Sequence, residues 1–223
     1  MAFTDRLHNR GSISTGYNVD YSCKFEHNNA ESLSRAQAQG NQQTWTFSTW
    51  LKRTQLSENG NEAYQNIWSA GSSTSNATHM YFRGDSTFPD NKIFFYMDNG
   101  GSQYFHGATP GSFRDTSAWY HIVWAVDTTQ GTDSNRVKLY VNGVQITSFG
   151  TANYPSQNAD FNNLFSSTGV HEIGRGTATG GTEYFGGYMA EVVFIDGQQL
   201  DPTSFGEFDS DSPNIWKPID VSG

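Results

Sequence analysis

The feature that most constrains this chain is a period-two alternation of apolar and polar residues, repeated along its length and broken by Gly, Asn, Asp and Ser. Helical periodicity is nearly absent. Tyr21, Cys23 and Phe25 alternate with polar neighbours, which predicts Cys23 as a small core residue. Trp45, Phe47, Thr49 and Leu51 share one strand face, with Thr46, Ser48 and Trp50 on the other. Met80 and Phe82 alternate with His79, Tyr81 and Arg83. Ile93 to Asp98 is an aromatic strand that runs into the turn Asp98-Asn99-Gly100-Gly101 and returns through Gln103 to His106. In Trp119 to Asp127 both faces are apolar: Ile122, Trp124 and Val126 on one, His121, Val123 and Ala125 on the other. That strand is expected at the centre of a sheet, covered on both sides. Val137, Leu139 and Val141 lead to Asn142-Gly143, a pair suited to a type I′ hairpin, and Val144 to Thr147 returns. Glu172 to Gly174 begins a short strand, and Tyr188 to Ile195 is the last strong one. Asp201 as cap and Pro202 at the first helical position predict a short C-terminal helix. About a dozen such strands at sandwich-like turn spacing read as an all-β fold, an antiparallel two-sheet sandwich.

A chain of 223 residues fits one such domain and buries a sizeable core without a staple. Its single cysteine, Cys23, excludes an intramolecular disulfide and fits folding in a reducing compartment. No composition break marks a second domain. The expected division is an N-terminal arm at 1–12, the sandwich at 13–209, and a C-terminal tail at 210–223. The tail carries Trp216 between two prolines and either lies extended against the sheet or begins a linker. The segment from Gly150 to Thr168, rich in Asn, Ser and aromatics, reads as a long surface loop.

The start of the chain lacks the apolar stretch of a signal peptide, and no run is long enough to span a membrane. A net charge of −9 repels phosphate backbones, so nucleic acid is not an expected partner. The sequon Asn76-Ala-Thr78 would matter only in a eukaryotic secretory pathway.

Four segments in order resemble one known family. Trp45 to Lys52 (WTFSTWLK) is similar to the opening strand of laminin-G-like domains. Trp119 to Asp127 resembles their W-x-H-I-V strand. Val137 to Gly143 resembles the L-Y-V-N/D-G hairpin after it, and Phe185 to Gly197 the closing strand. The resemblance, to laminin-G/concanavalin-A-like lectin domains, implies a jelly-roll sandwich with carbohydrate binding as the usual family function. The Asn- and Ser-rich loops, the few lysines and the run Asp201 to Pro218 resemble virion structural proteins of marine bacteriophages. That implies a head-decoration, capsid-fibre or tail-fibre role. Other virion proteins would be the partners, the chain itself among them as a homo-oligomer, and a host surface glycan the candidate ligand. The protein would be made in the host cytoplasm and located in the virion.

Catalysis is not expected. Glycosidic cleavage needs two carboxylates flanking the bond. Glu191 and Asp196 are an odd number of positions apart, which on a regular strand sends them to opposite faces. No nucleophile elbow or phosphate loop is present. Sugar binding needs planar rings and polar groups, and the candidates are Tyr81, Arg83, Asp85, Asp98, Asn99, Tyr104 and Tyr154. No cofactor is required. Calcium is the one ion the loops could take, with Asp98, Asn99, Asp133 and Asn135 as first candidates and Asp85, Asp90 and Asp127 as further donors. Asp98-Asn99 and Asp133 to Asn135 are equally well explained as turn residues. His121, within its strand, is expected as a packed, hydrogen-bonded residue rather than a ligand.

Overall fold

The computed structural model describes residues 17–36, 40–57, 63–73, 75–100, 102–149, 152–161, 169–176 and 183–222, without the side chains of 102–104. The expected N-terminal arm therefore lies outside the described residues. The chain folds as two antiparallel six-stranded sheets packed face to face. The first sheet contains β1 (Cys23–Phe25), β3 (Thr44–Arg53), β8 (Tyr120–Asp127), β9 (Val137–Val141), β10 (Val144–Ile146) and β12 (Gly187–Asp196). Its spatial order is β1-β12-β3-β8-β9-β10. The second contains β2 (Leu33–Ala36), β4 (Tyr64–Ser73), β5 (Asn76–Arg83), β6 (Lys92–Asn99), β7 (Ser102–Ala108) and β11 (Val170–Ile173), in the order β2-β11-β4-β5-β6-β7.

Between the sheets lies an aromatic core in which Trp45 packs against Trp68 and Trp124, with Phe47 stacked on Trp68. These rings come from alternate positions on β3, β4 and β8, as the pleat dictates. The core also holds Arg53, which is fully buried. Its guanidinium sits 4.1 Å from the Phe82 ring centre and donates to Phe113 O (2.8 Å) and Ser57 Oγ (3.1 Å). Burial pushes Arg53 down to about 9, which leaves it charged at neutral pH. Within the segment expected as a surface loop, Gly150 to Thr168, Phe161 is fully buried.

Two expectations change. Cys23 is exposed: β1 is a three-residue edge strand, and the face that buries Phe25 is open at Cys23. The boundary expected at residue 209 falls inside a hairpin. Here β13 (Gly206–Phe208) pairs with β14 (Trp216–Pro218), so the tail is extended against the domain and is not a linker. The helix expected after Asp201 is a single 3₁₀ turn, Pro202–Ser204, whose cap accepts from Thr203 N (2.8 Å). One α-helical turn, Asp133–Arg136, interrupts the polar loop before β9.

β8 has both faces covered, as its apolar alternation requires. The inner face packs in the core, and the outer face lies beneath the C-terminal strap. Thr46 Oγ1 donates to Gln198 O (2.7 Å) and accepts from Leu200 N (2.8 Å), fastening the strap to β3. The Asn142-Gly143 turn has positive φ at both residues, 48° and 78°. Gly143 serves a second purpose, since a Cβ there would stand 2.4 Å from the Trp216 ring. Gly143→Ala is therefore expected to cost about 1–2 kcal/mol from the backbone alone, plus the displacement of Trp216. Gly143→Asn restores a residue that tolerates positive φ but keeps the clash, so it should rescue only part of the loss in a denaturant titration.

Candidate functional site

The residues singled out for sugar and calcium do not converge. Tyr81 is 7% exposed and stacks on Phe94, with ring centres 5.6 Å apart. Arg83 Nε donates to Asp85 Oδ2 (2.6 Å), and its guanidinium lies 4.2 Å over Phe88. Asp85 Oδ1 accepts from the N–H groups of Thr87 and Phe88. Burial works to raise the Asp85 carboxyl, but Arg83 and these N–H groups outweigh it and hold it below the usual range. The three form one packed cluster whose polar groups bind one another. Asp98 and Asn99 sit at the far end of β6. Asp98 accepts from Tyr96 Oη (2.9 Å), and Asn99 donates to Asp160 O (3.0 Å). Tyr154 packs on Phe105. The Tyr104 side chain lies outside the described ones.

Asp133 accepts from Ser134 N, and Asn135 O accepts from Gln199. Asp127 is consumed by Thr129, Gln130 and Thr44, and Asp90 pairs with Lys92. Among the described residues no group of three or more His, Cys, Asp or Glu could hold a metal. The residues expected to bind calcium do not converge.

The carboxylates considered for hydrolysis are also separately engaged. A bulge between Ala190 and Val193 sets Glu191 and Val192 together opposite Thr49, so simple alternation fails along β12. Glu191 takes positive φ (47°) in that bulge and accepts from Tyr17 Oη (2.9 Å). Asp196 accepts from Asn41 N (2.8 Å).

What the fold does assemble is a trough on the outer face of the first sheet. Its floor is Trp50, which projects from the face of β3 opposite the core. Trp50 stacks on His121 (4.8 Å, 20°), and His121 stacks on Trp216 of the strap (5.9 Å, 20°). Trp216 Nε1 donates to His121 Nδ1 (2.9 Å), which leaves that nitrogen bare. The ring proton is then on Nε2 and is donated to Ser48 Oγ (2.9 Å). Burial pushes His121 down to about 3, so the imidazole is neutral. It is the packed, hydrogen-bonded residue its strand position predicts.

On either side of Trp50 and Trp119 lies a hollow. One, of about 300 Å³, is bounded by Val19 to Ser22, Ala190 and Pro218. The other, of about 460 Å³, is bounded by Asn142, Val144, Phe208 and Pro213 to Trp216. Tyr21 is 88% exposed and Trp119 39% exposed, large values for rings of this size. Beside the first hollow, Tyr17 Oη donates to Glu191, and the charges of Asp220 and Asp20 also act on that hydroxyl. The Glu191 hydrogen bond, then burial and the three negative charges, raise its pKa.

A sequence model described as the concanavalin A-like lectin/glucanases superfamily matches residues 25–201. The chain belongs to this superfamily. No curated protein sequence matches it. Among solved structures it is similar to full-length tailspike protein 2 of an Escherichia coli O157:H7 bacteriophage. The TM-score is 0.55 at 16% identity, covering 82% of this chain and 23% of that one. It is also similar to the enzymatically active domain of bacteriophage CBA120 tailspike protein 2, with TM-score 0.52 at 16% identity, covering 86% of this chain and 29% of that one. A heptameric SAP-like pentraxin from Limulus polyphemus gives 0.49 at 18% identity, over 80% of this chain and 73% of that one. The chain spans less than a third of the tailspike chains it matches. For this superfamily member the limits of the match are informative. Both lips of the trough, residues 19–22 and 208–218, lie outside the matched span, and its floor, Trp50 and Trp119, lies within it.

Proposed function

We propose that this superfamily member is a non-catalytic structural module of a bacteriophage particle, a head-decoration, capsid-fibre or tail-fibre component that attaches to other virion proteins. The observation that carries this reading is the trough. It is an aromatic surface with exposed rings at Tyr21 and Trp119, and exposed apolar patches of this kind mark interaction sites. The tailspike likeness and the Asn- and Ser-rich loops support the particle context. The separate engagement of Glu191 and Asp196 supports a non-catalytic role, since hydrolysis needs two carboxylates facing one bond. Particles labelled with an antibody to this protein should show it by electron microscopy at regular sites. Its absence from purified particles would overturn the reading.

A second reading, a lectin-like module for a host surface glycan, is favoured by the planar rings of Tyr21 and Trp119 beside Asp20 and Asn214. Glycan-array binding that is lost in Tyr21→Ala would select it. Incubation with host polysaccharide should release no reducing ends under either reading.

A further inference from the structure

We infer that the trough receives a lysine- or arginine-bearing extended segment of a neighbouring protein, with the aliphatic stem along Trp50 and Trp119 and the cation at the acidic end. This rests on the attachment reading above and names the chemistry of the partner.

Shape comes first. Two hollows flank Trp50 and Trp119 on the outer face of β3 and β8. The first is mainly apolar: Val19, Tyr21, Trp50, Trp119, Ala190 and Pro218 surround one carboxylate, Asp20, and one hydroxyl, Ser22. A sugar, with a hydroxyl on nearly every carbon, needs more directional partners than that. A lysine or arginine presents an apolar stem and a single charged end, which matches an apolar wall with a charged rim.

Charge points the same way. Asp20 lines the first hollow, and Glu191, the chain neighbour of its lining residue Ala190, accepts from Tyr17 Oη (2.9 Å). Two nearby cations are engaged elsewhere. Lys217 bridges Glu207 and Asp209, and Lys24 pairs with Glu26. The exposed rings of Tyr21 and Trp119 offer π faces that attract a cation directly. The net charge of −9 steers a basic partner toward the whole molecule.

The test uses the whole protein and short blocked peptides, Gly-Lys-Gly and Gly-Arg-Gly, with Gly-norleucine-Gly and Gly-Glu-Gly as references. Indole ¹H–¹⁵N resonances are followed during titration. The expected result is a saturable shift of the Trp50 and Trp119 signals with the basic peptides, weakened by salt beyond about 0.1 M. Asp20→Asn and Tyr21→Ala should each weaken binding about threefold to tenfold, while Tyr154→Ala leaves it unchanged. Tyr21 is so exposed that its replacement leaves the fold intact, which keeps the test sound even if Trp119→Ala fails to fold. Equal shifts with norleucine or glutamate, no saturable shift with any peptide, or displacement of these signals by a glycan instead would overturn the inference. Peptide binding by a protein absent from particles would sink the virion reading and leave this site standing. Presence in particles without peptide binding would do the reverse.

Discussion

Trp216→Ala is expected to lower stability by about 2–4 kcal/mol and to free the C-terminal strap from the sheet. Loss of a large aromatic from a packed site costs up to about 3–5 kcal/mol, and Trp216 is only partly buried, so the estimate sits lower. The indole stacks on His121, meets Phe208 edge-on at 4.9 Å, and fills space kept open by Gly143 and Gly206. Its removal also leaves His121 Nδ1 buried without a donor. Trp216→Phe keeps most of the packing and loses only that hydrogen bond, so it should cost about 1 kcal/mol. Denaturant titration gives the magnitudes. Hydrogen exchange at the amide of Asp209, which donates to Ile215 O (2.8 Å), tells whether the β13–β14 hairpin has come loose. A Trp216→Ala protein with unchanged stability and unchanged exchange would mean that the tail is not part of the folded domain.

Acid should unfold this protein in a window set first by two histidines. Burial pushes His79 down to about 4, with the charge of His106 adding to it, and burial alone pushes His121 down to about 3. In the unfolded chain both return to about 6.5. A native state that resists protonation loses stability wherever the unfolded chain takes up protons. The contribution is complete above pH 6.5 and declines as pH falls toward 4 for His79 and toward 3 for His121. Together they amount to a loss on the order of 8 kcal/mol once both are protonated. Asp85, Asp115, Asp127, Asp209 and Asp220, held below the usual carboxylate range, add to the loss below about pH 4. Glu172, whose carboxyl burial raises, acts in the opposite sense.

The two histidines should separate by substitution. His79 Nδ1 is buried without a partner, so an apolar ring in its place removes an unsatisfied group. His79→Phe is expected to leave stability at pH 7 unchanged or raise it by about 1 kcal/mol, and to flatten the slope between pH 6.5 and 4. His121→Phe keeps the stack but strands Ser48 and the Trp216 N–H, so it should destabilise at every pH. Stability that does not change between pH 7 and 4.5 in the unmodified protein would refute the assignment.

The sandwich was legible where one face of a strand meets the core and the other is solvated or covered, because the pleat then prints itself on the sequence. β3, β5, β6, β8 and β9 follow that rule, and β12 follows it on either side of its bulge. β4 does not. It lies between β11 and β5, is buried along most of its length, and carries bulges near Ile67 and Ser72, which break the alternation twice. β2 is exposed along its length and offers no apolar periodicity to read. Cys23 illustrates the opposite failure, alternation without burial at the edge of a sheet. The trough was illegible for a different reason. Val19 to Ser22, Trp50, Trp119 and Trp216 are far apart in sequence, and the turn chemistry of Asp85, Asp98 and Asp133 looks the same whether it serves a ligand or its own backbone. One signal was present: Trp50 on the face of β3 that otherwise carries Thr46 and Ser48. A tryptophan on a polar strand face announces that something covers that face, here the strap and the trough beside it.

The central claim is that this sandwich acts by attachment through the trough rather than by catalysis or through its turn loops. The most direct test is a cryo-electron microscopy map of the particle at side-chain detail. The account predicts density from a neighbouring protein lying between residues 19–22 and 208–218, with a basic side chain at Tyr21, Trp119 and Asp20. A map in which the trough faces open solvent while the Arg83–Asp85 cluster or the Asp98-Asn99 turn makes the contact would contradict it.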